Sequence, residues 1–193
     1  MSEYGEDQAL ADKVISESRD VFRDRGFQFL LWGFIVVIGT LITYFCRFTG
    51  HYKLIDRIWI VLYSVGMICS FIFGWRLRMK ESVKSFVGRI YTAIWIGIAI
   101  EIGILFFLYS LAGAFSLVVF LAFLSALLGI GYFTSGLIAR FKWMIILSAG
   151  WWIGSVAIIF ADPKWSAAIL GITVLLFQLI PGIIFYFFTH EVK

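Results

Sequence analysis

Very few residues in this chain's apolar stretches can do chemistry, and Glu101 comes first among them. It stands in the run RIYTAIWIGIAIEIGILFFLYSLAG, from Arg89 to Gly113, which is long and apolar enough to cross a bilayer. A carboxyl at that depth costs several kcal/mol unless it is protonated, paired or wetted. Two uses of such a group are open. It is a proton- or cation-responsive site or ligand anchor, or it hydrogen-bonds a neighbouring helix and fixes packing. Ala93, Gly97 and Glu101 recur at i, i+4 and i+8, a stripe of small residues along which a second helix can approach. That spacing predicts that Glu101 faces the bundle interior. Gln178 lies about 13 residues into the last apolar run, a matching depth, and is the expected partner. Pro181 follows three residues later, where a missing backbone donor predicts a kink and a spare carbonyl on Phe177. Glu101, Gln178 and Pro181 are therefore expected to form a polar intramembrane core.

Other chemistries find no residues. His51 and His190 fall outside the apolar runs and on opposite sides of them, so no histidine pair is available for a metal or haem within the membrane. No phosphate-binding loop, zinc-protease helix, serine elbow or paired-carboxylate signature is present. Cys46 and Cys69 should sit at different depths and read as ordinary apolar-site thiols. The expectation is a non-enzymatic chain with no catalytic residue, no metal and no cofactor.

The elements that must carry these residues follow from composition. With 62% hydrophobic and only 15% charged residues, and a mean hydropathy of +0.96, a soluble globular domain is excluded. Six apolar runs predict an all-α, polytopic six-helix bundle, with spans at 27–46, 58–75, 90–111, 116–139, 143–161 and 165–188. Residues 1–26 read as a polar tail and amphipathic helix, and 189–193 as a short tail. No cleavable leader is evident, so the first span is expected to act as an uncleaved anchor. Twelve of the sixteen Lys and Arg fall on one side of the predicted spans, which predicts both termini in the cytoplasm of a plasma membrane, read as a bacterial inner membrane. The basic linker Arg76–Arg89 is expected to lie against anionic lipid, and nothing suggests nucleic-acid binding.

Gly97, Gly129, Gly150 and Gly154 are the expected helix-packing positions. The pair Gly150 and Gly154 forms a Gly-x-x-x-Gly face that packs within the chain or against a second copy. Trp32 with Gly33 and Trp95 with Gly97 hint at a repeat, although tryptophan and glycine are common enough in such runs to recur by chance. The runs RDRGFQFLLWGFIVVIG, SGLIARFKWMIILSAGWWIGSVAIIF and LIPGIIFYFF resemble small six-span bacterial membrane proteins of uncharacterised function, a resemblance that implies the fold and no activity. The leading expectation is an interaction or regulatory membrane component, partnered by lipid and by a homodimer mate or another membrane or cytoplasmic protein. The alternative is a small transporter or channel-like protein using Glu101 as a proton or cation site.

Overall fold

A chain that crosses lipid must satisfy its backbone hydrogen bonds internally, and apolar runs of about 20 residues do so as helices. The computed structural model describes residues 3–80 and 86–188, with side chains for 26–76 and 88–184. It is all-helical, with no strand among the described residues. The helices are α1 (Glu3–Phe48), α2 (Tyr52–Lys80), α3 (Phe86–Ser110), α4 (Leu117–Ala139), α5 (Lys142–Phe160), α6 (Ser166–Val174) and α7 (Ile180–Phe188). A π-turn, Leu175–Leu179, joins α6 to α7 without a break in the helical backbone. Six stretches are long and apolar enough to span a membrane: Gly26–Phe48, Tyr52–Arg76, Gly88–Ser110, Leu117–Ala139, Lys142–Phe160 and Ser166–Ile184.

Two boundaries differ from expectation. Helix α1 runs without a break from Glu3 through the first span, with no boundary at residue 26 between the N-terminal helix and the span; the amphipathic pattern itself rests on side chains outside the described residues. Helix α2 begins at Tyr52, six residues before the apolar run, because Lys53, Asp56 and Arg57 extend the helix as a polar end turn. The connection shrinks to Thr49–His51, closed by Gly50 at φ +77° and by the His51 N–H to Cys46 carbonyl bond of 2.7 Å. Residues 81–85 of the basic linker lie outside the described residues.

The remaining turns are tight. Ser116 caps α4 by accepting from the Val119 N–H. Arg140 ends α4 in the left-handed region at φ 53°, and the Phe141 N–H returns to the Gly136 carbonyl, so α5 folds straight back. Asp162 accepts from the Lys164 backbone and pairs with its ammonium at 3.2 Å; these contacts, the backbone bond foremost, pull its carboxyl below the usual carboxylate range. Tyr44 Oη ties the end of α1 to this turn, donating to the Lys164 carbonyl and accepting from the Ala168 N–H.

Packing is uneven. Helices α4 and α5 form the closest pair, and Ser125 and Ser155 cross-link them by donating to the Trp151 and Ala122 carbonyls at 2.7 and 2.9 Å. Helix α1 is the hub, touching α2, α3, α4 and the whole sixth span. Only 6% of the α2 apolar stretch and 11% of the α3 stretch is buried, against 33–39% for the other four. The bundle is thus a packed half of α1, α4, α5 and α6–α7, with α2 leaning on α1 and α3 leaning on α4 and α1.

One packing device recurs. The Trp32 ring lies against Gly66 and donates to Ser70 Oγ at 3.0 Å. Trp59 lies against Gly39 and donates to Thr43 Oγ1 at 2.9 Å. Trp95 lies near Gly131 and donates to Ser135 Oγ at 3.2 Å. In each case a Gly-x-x-x-Ser or Gly-x-x-x-Thr step on one helix receives the indole of another. Glycine makes room for the ring, and the hydroxyl one turn along accepts its N–H.

Candidate functional site

The contact face of α3 is built by Tyr91, Trp95 and Ile98, which turn toward α1 and α4. Tyr91 and Ile98 are buried, and the Trp95 ring lies edge-on to Phe29 of α1 at 5.8 Å. The opposite face, Ala93, Ile96, Gly97, Ile100, Glu101, Ile104 and Phe107, is exposed throughout. Glu101 therefore points away from the interior, contrary to the orientation expected from the Ala93–Gly97–Glu101 stripe. Aromatic rings, not small residues, make the α3 contact. A Cβ added at Gly97 would meet nothing within 4 Å. The Glu101 carboxyl has no hydrogen bond or ion pair among the described residues. It sits about 20 Å along the helix from Gly88 and about 14 Å from Ser110, near the middle of the span.

Gln178 lies elsewhere. It is buried in the π-turn and donates from Nε2 to the Phe29 carbonyl at 3.3 Å. The sixth span packs on α1, α4 and α5, while α3 packs on α1 and α4, so the pair expected at one depth is divided between the inside and the outside of the bundle. Nor does Pro181 break its helix. The turn before it widens, with the Ile180 N–H returning to the Leu175 carbonyl five residues back, and α7 continues. A widened turn accommodates the proline ring within the helix.

Around Gln178 stands an interior polar node that sequence reasoning missed. The Phe29 ring is edge-on to Tyr132 at 5.5 Å, and Tyr132 lies 5.7 Å from the Trp151 ring and 6.1 Å from Trp95. Trp95 is satisfied by Ser135. Tyr132 Oη and Trp151 Nε1 are buried without a hydrogen-bond partner. The available signal was the Trp95 to Ser135 pairing, built like that of Trp32 to Ser70; nothing in the sequence marked Tyr132.

The remaining glycines lie inside the fold. Gly150 is seated against the Phe177 ring, Gly154 against Thr173 and Ser125, and Gly129 against Trp152 and the Trp151 Cβ. Gly150 and Gly154 are buried by the chain's own helices, so that face is not open to a second copy. Cys46 is buried on α1 and Cys69 half-buried on α2, both free. Between α1 and α2 an open groove of about 390 Å³ is lined by apolar side chains such as Phe27, Leu30, Phe34 and Leu62. Among the described residues no three His, Cys, Asp or Glu side chains gather as metal ligands would.

Six spanning helices, an apolar exterior and polar groups mostly turned to the interior define a multi-pass α-helical membrane protein. Compared with known proteins, the chain matches no family, no curated protein and no solved structure.

Proposed function

We propose that this protein is a non-enzymatic interaction or regulatory component of its membrane, acting by lateral association with another transmembrane helix through α3. The observation that carries the reading is Glu101: a carboxyl near mid-span, exposed on a helix face that the fold leaves open, with no partner among the described residues. Lipid satisfies apolar side chains but gives a carboxyl nothing to bond, so a group at this depth is satisfied by protein or water. An exposed lane with small residues one and two turns before the carboxyl suits a second helix. The alternative, transport through Glu101 as a proton or cation site, lacks comparable support, because within one chain the carboxyl faces outward rather than into a pathway. We further propose a plasma membrane, read as a bacterial inner membrane, with both termini cytoplasmic. The charge asymmetry of the helix ends supports that orientation, and anionic headgroups suit the basic linker.

Because the carboxyl bonds to no other group among the described residues, Glu101→Leu is expected to leave the unfolding free energy of the monomer, measured at high dilution in detergent, within about 0.5 kcal/mol of wild type. In native membranes the same substitution should dissociate the complex that wild-type protein forms on native gels. Destabilisation of the isolated chain by more than about 1 kcal/mol would instead make Glu101 a packing group of the monomer. An unchanged complex would remove the association reading.

A further inference from the structure

Resting on that association reading, we infer that the partner is a second copy of this chain, docked α3 to α3 about a two-fold axis along the membrane normal, with Glu101 opposite Glu101. The chemistry of the group points there. Two carboxyls sharing a proton are self-complementary, because a protonated carboxyl donates from its hydroxyl and accepts at its carbonyl. A two-fold interface sets residues near the axis against their own copies, so it suits a group that can bond to itself. No other charged group lies at this depth among the described residues. Glu101 is the only charged residue between Ile90 and Ala139, and the mid-span Gln178 is buried and bonded to Phe29.

Geometry agrees with the chemistry. The exposed face of α3 is continuous from Ala93 to Phe107 and follows the i, i+3, i+4, i+7 spacing of a helix seam. On it, Ala93 and Gly97 allow the two backbones to approach one and two turns before the carboxyl, which lets short side chains meet across the axis. Ile96, Ile100 and Ile104 flank the lane and would shield the carboxyl pair from lipid. The other small-residue pair, Gly150 and Gly154, is consumed inside the chain, so α3 carries the free lane.

Disulfide trapping in lipid vesicles tests this with the full chain. In a Cys46→Ala, Cys69→Ala background, Gly97→Cys should cross-link under mild oxidation into an adduct of twice the chain mass. Ile153→Cys, on the exposed face of α5, should do so about tenfold less. Adding Glu101→Leu should lower the Gly97→Cys yield about tenfold, in line with the loss of one interhelical polar pair, whereas Glu101→Gln, whose amide is also self-complementary, should preserve it. Ala93→Cys serves as a second probe if Gly97→Cys does not fold. The same probe is then oxidised in native membranes. No doubled adduct in vesicles, with Gly97→Cys adducts of other masses in native membranes, would overturn self-association while leaving α3 as a docking face for a different protein. A yield no greater than that of Ile153→Cys in either setting would overturn both.

Discussion

Tyr132 Oη and Trp151 Nε1 are two donors withdrawn from solvent with no acceptor in reach, and each carries a desolvation penalty of about 1–3 kcal/mol. Removing the hydroxyl while keeping the ring should therefore help the fold. Tyr132→Phe retains the edge contacts to Phe29 and Trp151 and is expected to raise stability by about 1 kcal/mol in equilibrium unfolding from mixed micelles. A loss of similar size would show that the hydroxyl is engaged in the membrane. The node also marks what one residue's sequence context hides. Glu101 was legible as an intramembrane carboxyl, since depth follows from counting along the helix. Its direction was not, because lipid and protein interior are equally apolar and a helix embedded in both has no polar face to mark the outside. Small residues suggested the contact face, whereas rings at Tyr91 and Trp95 make it. Gln178 was placed at the right depth, but its partner is a backbone carbonyl of Phe29, and carbonyls leave no trace in side-chain spacing.

Between elements, lipid removes the hydrophobic drive that joins helices in water, so shape and interhelical hydrogen bonds must do the joining. The three tryptophan seats supply both. Trp32 and Trp59 lock α1 and α2 reciprocally, and Trp95 locks α3 to α4. The repeat hinted at by Trp32 and Trp95 has a physical counterpart here. In both hairpins Trp and the Ile three residues on, Ile35 or Ile98, close over a Gly-x-x-x-Ser step, Gly66 and Ser70 or Gly131 and Ser135. The neighbouring glycines Gly33 and Gly97, which drew attention in the sequence, belong to other faces. If the seat is an energetic unit, Trp95→Phe and Ser135→Ala should be non-additive, with a coupling of about 0.6 kcal/mol and no more than about 2. Ser135→Ala alone should cost more than the double substitution's coupling suggests, because it leaves the indole N–H without its acceptor. Full additivity in a double-mutant cycle would reduce the seat to shape alone. Helix limits were legible to within about six residues, the largest miss being the start of α2, where charged residues extend the helix beyond the apolar run. The π-turn before Pro181 was not, since a proline announces a disturbance of the ladder and leaves open how the helix absorbs it.

At the scale of the whole molecule the chain has a dense half and a loose half, and its two cysteines report on them separately. Cys46 is buried on the hub helix α1, close to where Tyr44 is tied to the α5–α6 turn. Cys69 is half-buried on α2, whose packing is almost entirely against α1. A helix held by α1 and a single Tyr63 hydrogen bond to the Ala99 carbonyl of α3 should open at lower free energy than one packed on several helices, because few contacts need to break. In detergent micelles titrated with SDS, a small maleimide is therefore expected to label Cys69 before Cys46, with two midpoints rather than one. Coincident midpoints would mean that α2 unfolds with the bundle and that its sparse burial understates its attachment. The same division gives α3 its significance. A helix seated on one side by Trp95 and open on the other has the least of its surface committed to its own chain after α2, and among the described residues it alone places a carboxyl near mid-span on the uncommitted side. Occupying that face with a second helix should protect α3 without altering the packed half. Cross-linking through Gly97→Cys is accordingly expected to leave the Cys46 midpoint, measured with the added cysteine already oxidised, within error of the uncross-linked chain.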